Sequence, residues 1–221
     1  MKNIAKVACV AVLGLLLSAC ATQPKSRDYS AYKASKPRSI LVLPPVSHAP
    51  DVDASLSVLS VTTLPLAEAG YYVMPVAPVY ETFKQNGITI ADDAQAVAPE
   101  KLRQIFGADA ALYITIDKYG AVYQVVNSVV TVAANAKLVD LRTGTVLWEG
   151  KATASSDENK KVSVGGGGVL GILVSAAINQ VINQATDQSH QVGNMASQRL
   201  LSAGYPGGLL YGPYNAKYGT D

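Results

Sequence analysis

Both cysteines of this 221-residue chain, Cys9 and Cys20, lie in its first twenty residues, and no other feature constrains the fold more. Lys2 and Lys6 make a short basic start. Residues 7–17 are almost wholly apolar, and Leu17-Ser18-Ala19-Cys20 supplies small residues before a cut. A basic start, a short apolar core and small residues describe a secretory signal peptide. The apolar run falls well short of the ~20 residues that a membrane-spanning helix needs.

Leu17-Ser18-Ala19-Cys20 resembles the bacterial lipobox. That resemblance implies cleavage between Ala19 and Cys20, diacylation of the Cys20 thiol and acylation of the new amine. Covalent lipid on Cys20 is then the only non-protein group expected, with no cofactor. Each buried CH₂ contributes ~0.8 kcal/mol and stable anchoring takes about two chains, so a multiply acylated cysteine stays on its membrane. Ala21 rather than aspartate follows the cysteine, and the resemblance then favours the outer membrane. Cys9 leaves with the signal and Cys20 is consumed by lipid, so the folded body has no thiol and no disulfide in an oxidising compartment. Its stability must come from packing. Removing Lys2 and Lys6 leaves 18 − 2 = 16 basic against 16 acidic side chains. A balance near zero excludes a general nucleic-acid-binding role, which needs a basic excess.

Residues 1–19 thus read as signal peptide, 20–38 as a lipidated polar tether, 39–203 as an α/β domain and 204–221 as a Gly/Pro/Tyr-rich tail. Within the tether, Lys25, Arg27, Lys33, Lys36 and Arg38 are interrupted by Asp28 and two tyrosines, which favours a solvated linker over a headgroup-binding patch. Ser39-Ile40-Leu41-Val42-Leu43, stopped by Pro44-Pro45, reads as a buried strand. The stretch VSHAPDVDAS reads as a loop, Asp53 as the cap of a helix through Leu66, and Pro65 as a residue that bends or ends it. A second strand follows over 71–74, so strand–helix–strand with short links predicts a parallel pair. Helices are expected over 79–85 and from Pro99 to the stop at Gly107, and a strand over 110–118. The valine-rich 122–140 reads as one or two strands, Arg142-Thr143-Gly144 as a tight turn, and 145–155 as a returning strand. The front half is therefore α/β and the middle an antiparallel meander.

The uncharged stretch SVGGGGVLGILVSAAINQVINQAT, residues 163–186, admits three readings. Gly166-x-Gly168-x-x-Gly171 matches a dinucleotide fingerprint, but the helical pattern runs on past Asp187 where a strand is required. A spanning segment is opposed by Asn179, Gln180, Asn183 and Gln184. An amphipathic helix remains, with Ile178, Val181, Ile182, Ala185, Val192, Met195, Ala196 and Leu200 on its apolar side. Packing on the chain's own sheet is the preferred role of this helix; the small-residue start at 169–177, with Val169, Gly171 and Leu173, is a candidate interaction surface beside it. Tyr211 and Tyr214 of the tail are another, since tyrosine buries large area and keeps a polar tip; a tail wrapped over its own domain, its rings covering core, is the preferred reading of them.

Chemistry-bearing motifs are scarce. The chain has two histidines, His48 and His190. Neither lies in a zinc signature, and no cysteine pair is left to bind metal. His48 with Asp51 and Asp53 reads as turn and helix cap rather than a cation site, and His190 as a hydrogen-bonded residue on a polar helix face. No nucleophile elbow and no phosphate-loop lysine are present. A Ser–His–Asp triad assembled in three dimensions stays open but is disfavoured by the poverty of histidine.

SILVLPP before a helix, GADAALYITI before a meander and KLVDLRTGTVLWEGKA as its closing hairpin resemble the N-terminal domain of TolB, CsgG and LpoB. With GGGGVLGILVSAAINQ, NMASQRLL and GYPGGLLYGPY, the chain is similar to a family of uncharacterised Gram-negative lipoproteins often encoded beside a CsgG-like lipoprotein. The resemblance implies a TolB-like α/β sandwich of two or three layers: a mixed sheet with helices and a long C-terminal amphipathic helix. It implies a periplasm-facing, non-enzymatic adaptor or assembly subunit with an envelope protein partner, among which a CsgG-like lipoprotein is a candidate. The chain is open to homo-oligomerisation. Two further readings stand beside it, an oligomeric CsgG-like export or pore component and an envelope hydrolase. For a pore, 122–138 is the one candidate membrane hairpin, and its alternation is irregular.

Overall fold

The computed structural model describes residues 27–123, 128–158 and 188–221. Cys20, Ala19, the glycine run and the candidate surface at Val169, Gly171 and Leu173 lie outside the described residues. In chain order the elements are α1 (Ser30–Ser35), β1 (Ser39–Val42), β2 (Val46–Ser47), α2 (Ala54–Glu68), β3 (Tyr72–Val73), α3 (Val76–Gln85), α4 (Ala91–Ala96), α5 (Pro99–Phe106), β4 (Ala110–Tyr123), β5 (Ser128–Asp140), β6 (Val146–Ser155) and α6 (Gln188–Leu201). One mixed sheet runs β3-β1-β4-β5-β6, with β2 also on β4. β1 pairs parallel with β3 and β4, while β4, β5 and β6 form an antiparallel meander. The strand–helix–strand reading of the front and the meander reading of the middle both describe what is seen.

Alternation along the strands sorts side chains to two faces. Ile40, Val42, Ala110, Leu112, Ile114 and Ile116 join Leu59 and Leu66 of α2 and Val192, Ala196 and Leu200 of α6 in the larger core. Leu41, Leu43, Ala111 and Tyr113 meet Val79, Phe83, Ala94 and Leu102 of α3, α4 and α5 in the smaller one. Helices therefore cover both faces of the parallel part. On the meander, the second face stays polar, with Asp117, Lys137, Glu149 and Lys151 exposed. One-sided burial of this kind is ordinary for antiparallel strands.

The register at the sheet's start is pinned by Asp109. Its Oδ2 accepts from Arg38 N (3.0 Å), Ser39 N (3.2 Å) and Ser39 Oγ (3.1 Å), and its own N–H donates to Ser39 Oγ (3.0 Å). At the far end, the turn after β5 is built on Asp140, which is buried. Arg142 N (2.7 Å) and Thr143 N (3.0 Å) donate to its Oδ1, Ser35 Oγ to its Oδ2 (2.5 Å), and Gly144 carries the positive φ of 71° that closes the turn. Burial by itself pushes the Asp140 carboxyl up. The hydrogen bonds from Ser35, Arg142 and Thr143 and the Arg142 guanidinium outweigh it and hold the pKa below the usual range. A depressed folded-state pKa contributes stability that is present above the unfolded value of ~3.9 and is lost as pH falls through the folded value. Asp140→Ala is expected to cost about 2–3 kcal/mol at pH 7, the scale of hydrogen bonds to a charged group. In urea titrations the gap from the parent should shrink below about pH 4; a gap unchanged at pH 3 would contradict the assignment.

Four sequence expectations are corrected, and one element was not foreseen. Residues 27–38 of the expected 20–38 tether are part of the fold: Tyr32 is 2% exposed and Ser35 holds Asp140. The two tyrosines, read as interruptions of a linker, supply the apolar area that docks it. Their basic neighbours are engaged rather than gathered in a patch: Arg27 donates to Glu149 O, Lys33 to Asp221 O (2.6 Å), and Arg38 lies over Tyr214. The expected loop after Pro44-Pro45 begins with β2, which resumes parallel pairing on β4 at Thr115 and Ile116; two prolines interrupt the ladder without ending it. The Asp53 side chain makes no capping bond to α2; Asp51 Oδ1 instead accepts from Asp53 N at 2.9 Å. Pro65 lies inside α2, which runs on to Glu68 with Ala69 N donating to Pro65 O at 2.9 Å. Finally, α4 had no counterpart in the sequence reading.

The edge strand β6 is blunted by arginine. Arg27 donates to Glu149 O, and Arg199 donates to Thr153 O (2.8 Å) while pairing with Glu158. Outward carbonyls that would template another strand are thereby occupied by charge.

Candidate functional site

The C-terminal segment is docked on the body, and it gathers most of the aromatic chemistry. Gly212 N donates to Ala69 O (2.8 Å), Tyr214 N to Gly70 O (3.0 Å) and Asn215 Nδ2 to Glu68 O (2.8 Å). Leu209 is 1% exposed and belongs to the larger core. The chains meet so closely because two glycines face each other. A Cβ on Gly212 would lie 2.6 Å from Gly70 C, and one on Gly70, whose φ is +96°, would lie 2.5 Å from Asn215 N.

This docking places Tyr211 and Tyr214 differently. Tyr211 is half-buried, its N–H donates to Asp221 Oδ2 (2.8 Å), and the Lys217 ammonium sits 5.6 Å from its ring centroid. Tyr214 is 63% exposed and lies under the Arg38 guanidinium, 5.9 Å from its ring centroid. Arg38 O accepts from Tyr72 N (3.0 Å), a backbone contact only: Tyr72 is in register with Ser39, so its exposed side chain belongs to the other face of the sheet. Arg38 and Tyr214 therefore form one exposed cluster beside the β3 edge, the guanidinium also donating to Tyr214 Oη at 3.4 Å. Tyrosine and arginine at the surface are the residue types enriched where proteins dock.

Behind the tail lies a cleft of about 300 Å³ floored by Tyr32 and Tyr71 and walled by Leu210 and Tyr218, with Lys33 and Lys36 at its mouth. Tyr32 and Tyr71 share a hydrogen bond between hydroxyls (2.8 Å), and Tyr71 Oη donates to Leu210 O (2.7 Å). Burial, reinforced by the neighbouring phenol, pushes the Tyr32 hydroxyl far up, and burial raises Tyr71 as well. Both stay protonated. Neither residue was a sequence candidate; the signal was a pair of tyrosines in segments otherwise read as linker and strand end.

The structure also brings a serine to a histidine. Ser57 Oγ lies 2.9 Å from His190 Nδ1, and Tyr119 Oη donates to Ser57 Oγ at 2.6 Å, beside Asp51 and Asp53 in an open polar cleft. A triad needs an acid orienting the histidine's other nitrogen, and among the described residues no such bond to His190 is made. The trio instead bolts α2, β4 and α6 together. His48 stands 4.0 Å from Asp117, both well exposed. Among the described residues no group of three metal-ligating side chains forms, and no helix is long and apolar enough to cross a membrane.

Comparison with known proteins places the chain. The family model "Putative lipoprotein GNA1162-like" matches residues 27–214. This chain belongs to that family. A relative from Neisseria meningitidis serogroup B, "Putative lipoprotein NMB1124/NMB1162", is 52% identical over 200 residues, 90% of this chain and 91% of its own length. The crystal structure of lipoprotein GNA1162 from Neisseria meningitidis superposes with TM-score 0.53 at 54% identity, covering 66% of this chain and 99% of the other. The LpoB C-terminal domain from Salmonella enterica aligns at 17% identity with TM-score 0.39, over 63% of this chain and 90% of its own, a likeness too loose to carry function. A lipoprotein family was expected from the quoted segments, and a "putative lipoprotein" family is what matches.

Proposed function

We propose that this family member is a lipid-anchored, non-enzymatic adaptor of the bacterial envelope. Cys20 carries the acyl chains in the outer membrane, and the body, a sandwich of the TolB N-terminal type, faces the periplasm and docks an envelope protein. A CsgG-like lipoprotein is the preferred partner class. The observation that carries this reading is the exposed cluster of Arg38 and Tyr214, the tyrosine held on a tail that is itself locked to the body. Membership in a lipoprotein family supports the anchor. Against a pore stands the use made of the meander's apolar residues: Val130, Val132 and Ala134 are buried in the core that contains Val192 and Ala196 of α6, which leaves them no lipid to face. Against a hydrolase stands His190, which has no orienting acid among the described residues.

Two variants test the proposal. Cys20→Ala is expected to move the protein from the membrane fraction to the soluble one. Arg38→Glu is expected to leave the protein on membranes with unchanged thermal stability while reducing partner recovery at least tenfold after mild detergent extraction. Partner recovery equal to the parent's would remove the cluster from the account.

A further inference from the structure

The cleft behind the tail has a chemistry of its own. Its interior is aromatic and has spent its protons: Tyr71 gives its hydroxyl proton to Leu210 O, so the Tyr32 proton goes to Tyr71. No free O–H donor points inward from these two residues, and an apolar chain loses nothing by entering. At the mouth two ammonium groups, Lys33 and Lys36, stand against the Asp221 side chain. Lys33 is held there by Asp221 O (2.6 Å), while the Lys36 ammonium makes no bond or ion pair among the described residues, only its backbone N–H donating to Tyr32 O (3.0 Å). Lys36 is also the one non-glycine residue with positive φ (48°) among those described, the left-handed turn that ends α1. The Asp221 carboxylate, the acidic group at this mouth, is already engaged by Tyr211 N, and Lys217 adds a third ammonium beside Tyr211. A volume of about 300 Å³ is at the lower end for small-molecule sites and suits one chain rather than two.

We infer that this cleft binds a single-chain amphiphile with an anionic head, of the long-chain carboxylate type, with the chain against Tyr32, Tyr71 and Tyr218 and the head on Lys36 and Lys33. Proximity to lipid rests on the anchoring reading above: α1 starts ten residues after Cys20, a span of at most ~35 Å, so the mouth stays within reach of the bilayer surface.

The test uses the full-length chain carrying Cys20→Ala, so that binding is read without the anchor and neither result depends on the other. Dodecanoate is titrated below its micelle concentration by calorimetry, against dodecyltrimethylammonium as the cationic counterpart. The expected result is saturable one-to-one binding of dodecanoate, at least tenfold weaker in Lys36→Glu, unchanged in Lys118→Glu, and at least tenfold weaker for the cationic amphiphile. Tyr218→Ala should weaken dodecanoate binding as well, since that ring walls the cleft. Uptake that does not saturate, equal affinity in Lys36→Glu, or equal affinity for the cationic amphiphile would overturn the inference.

Discussion

Gly212→Ala is expected to unseat the C-terminal segment. The added methyl would meet the Gly70 backbone carbonyl, with Gly70 C at 2.6 Å and Tyr71 Cδ1 at 2.9 Å. Backbone cannot rotate aside as a side-chain end can, so the segment must lift. Lifting breaks the bonds from Gly212 N to Ala69 O and from Tyr214 N to Gly70 O, and it uncovers Tyr71 and Leu209, both 5% exposed or less. A cost of about 3 kcal/mol follows, at the upper end of overpacking penalties. For a chain of this size that lowers Tm by about 6–12 °C. Gly70→Ala should do the same, with its positive φ adding strain. Thermal melts and limited proteolysis check it: cleavage should concentrate in 205–218. A Gly212→Ala variant with parental Tm and protection would show that the tail is not locked as described.

Trp148→Ala is expected to cost about 3–5 kcal/mol, the range for deleting a buried tryptophan side chain. The ring is 3% exposed, packs across Gly150, and its Nε1 donates to Gly207 O at 3.0 Å. Its neighbours at Gly150 include Leu200 of α6, 3.2 Å from where a Cβ would stand. One residue thus joins the edge strand, the last helix and the tail, which is why the loss should be cooperative. Gly150→Ala should also destabilise, because the new methyl takes the space of the indole. As the chain's sole tryptophan, Trp148 reports its own environment: the parent should unfold with a red shift in emission, and Gly150→Ala should be partly shifted before denaturant is added. Urea titration measures both; a loss under 1 kcal/mol for Trp148→Ala would contradict its place in the core.

How much of this was legible beforehand depended on the kind of signal. Runs such as Ser39–Val42 and 110–118 declare themselves because buried strands concentrate branched and aromatic residues, whereas the extension of β4 to Tyr123 was not read; Pro99 with Gly107 bracket α5 through their own backbone preferences. The docking of residues 27–38 was not legible, because it depends on where two tyrosines land in three dimensions, and local composition there is that of a linker. β2 was hidden by the proline pair before it. Of the candidate site, Tyr211 and Tyr214 could be named from their tail, but their unequal exposure follows from a backbone contact with Gly70 that no local pattern records. Ser57 and His190 lie 133 positions apart, and only the packing of α6 on α2 brings them together.

The central claim is that a membrane-held body docks an envelope protein through the cluster at Arg38 and Tyr214. The most direct measurement is site-specific photo-crosslinking in intact cells. A photoreactive residue replaces Tyr214 in one variant and Lys151, on the open polar sheet face, in another. The account predicts one dominant membrane-associated adduct from position 214, abolished by Arg38→Glu, and no matching adduct from position 151. Equal adducts from both positions, or none from position 214 while the protein remains folded on its membrane, would contradict it.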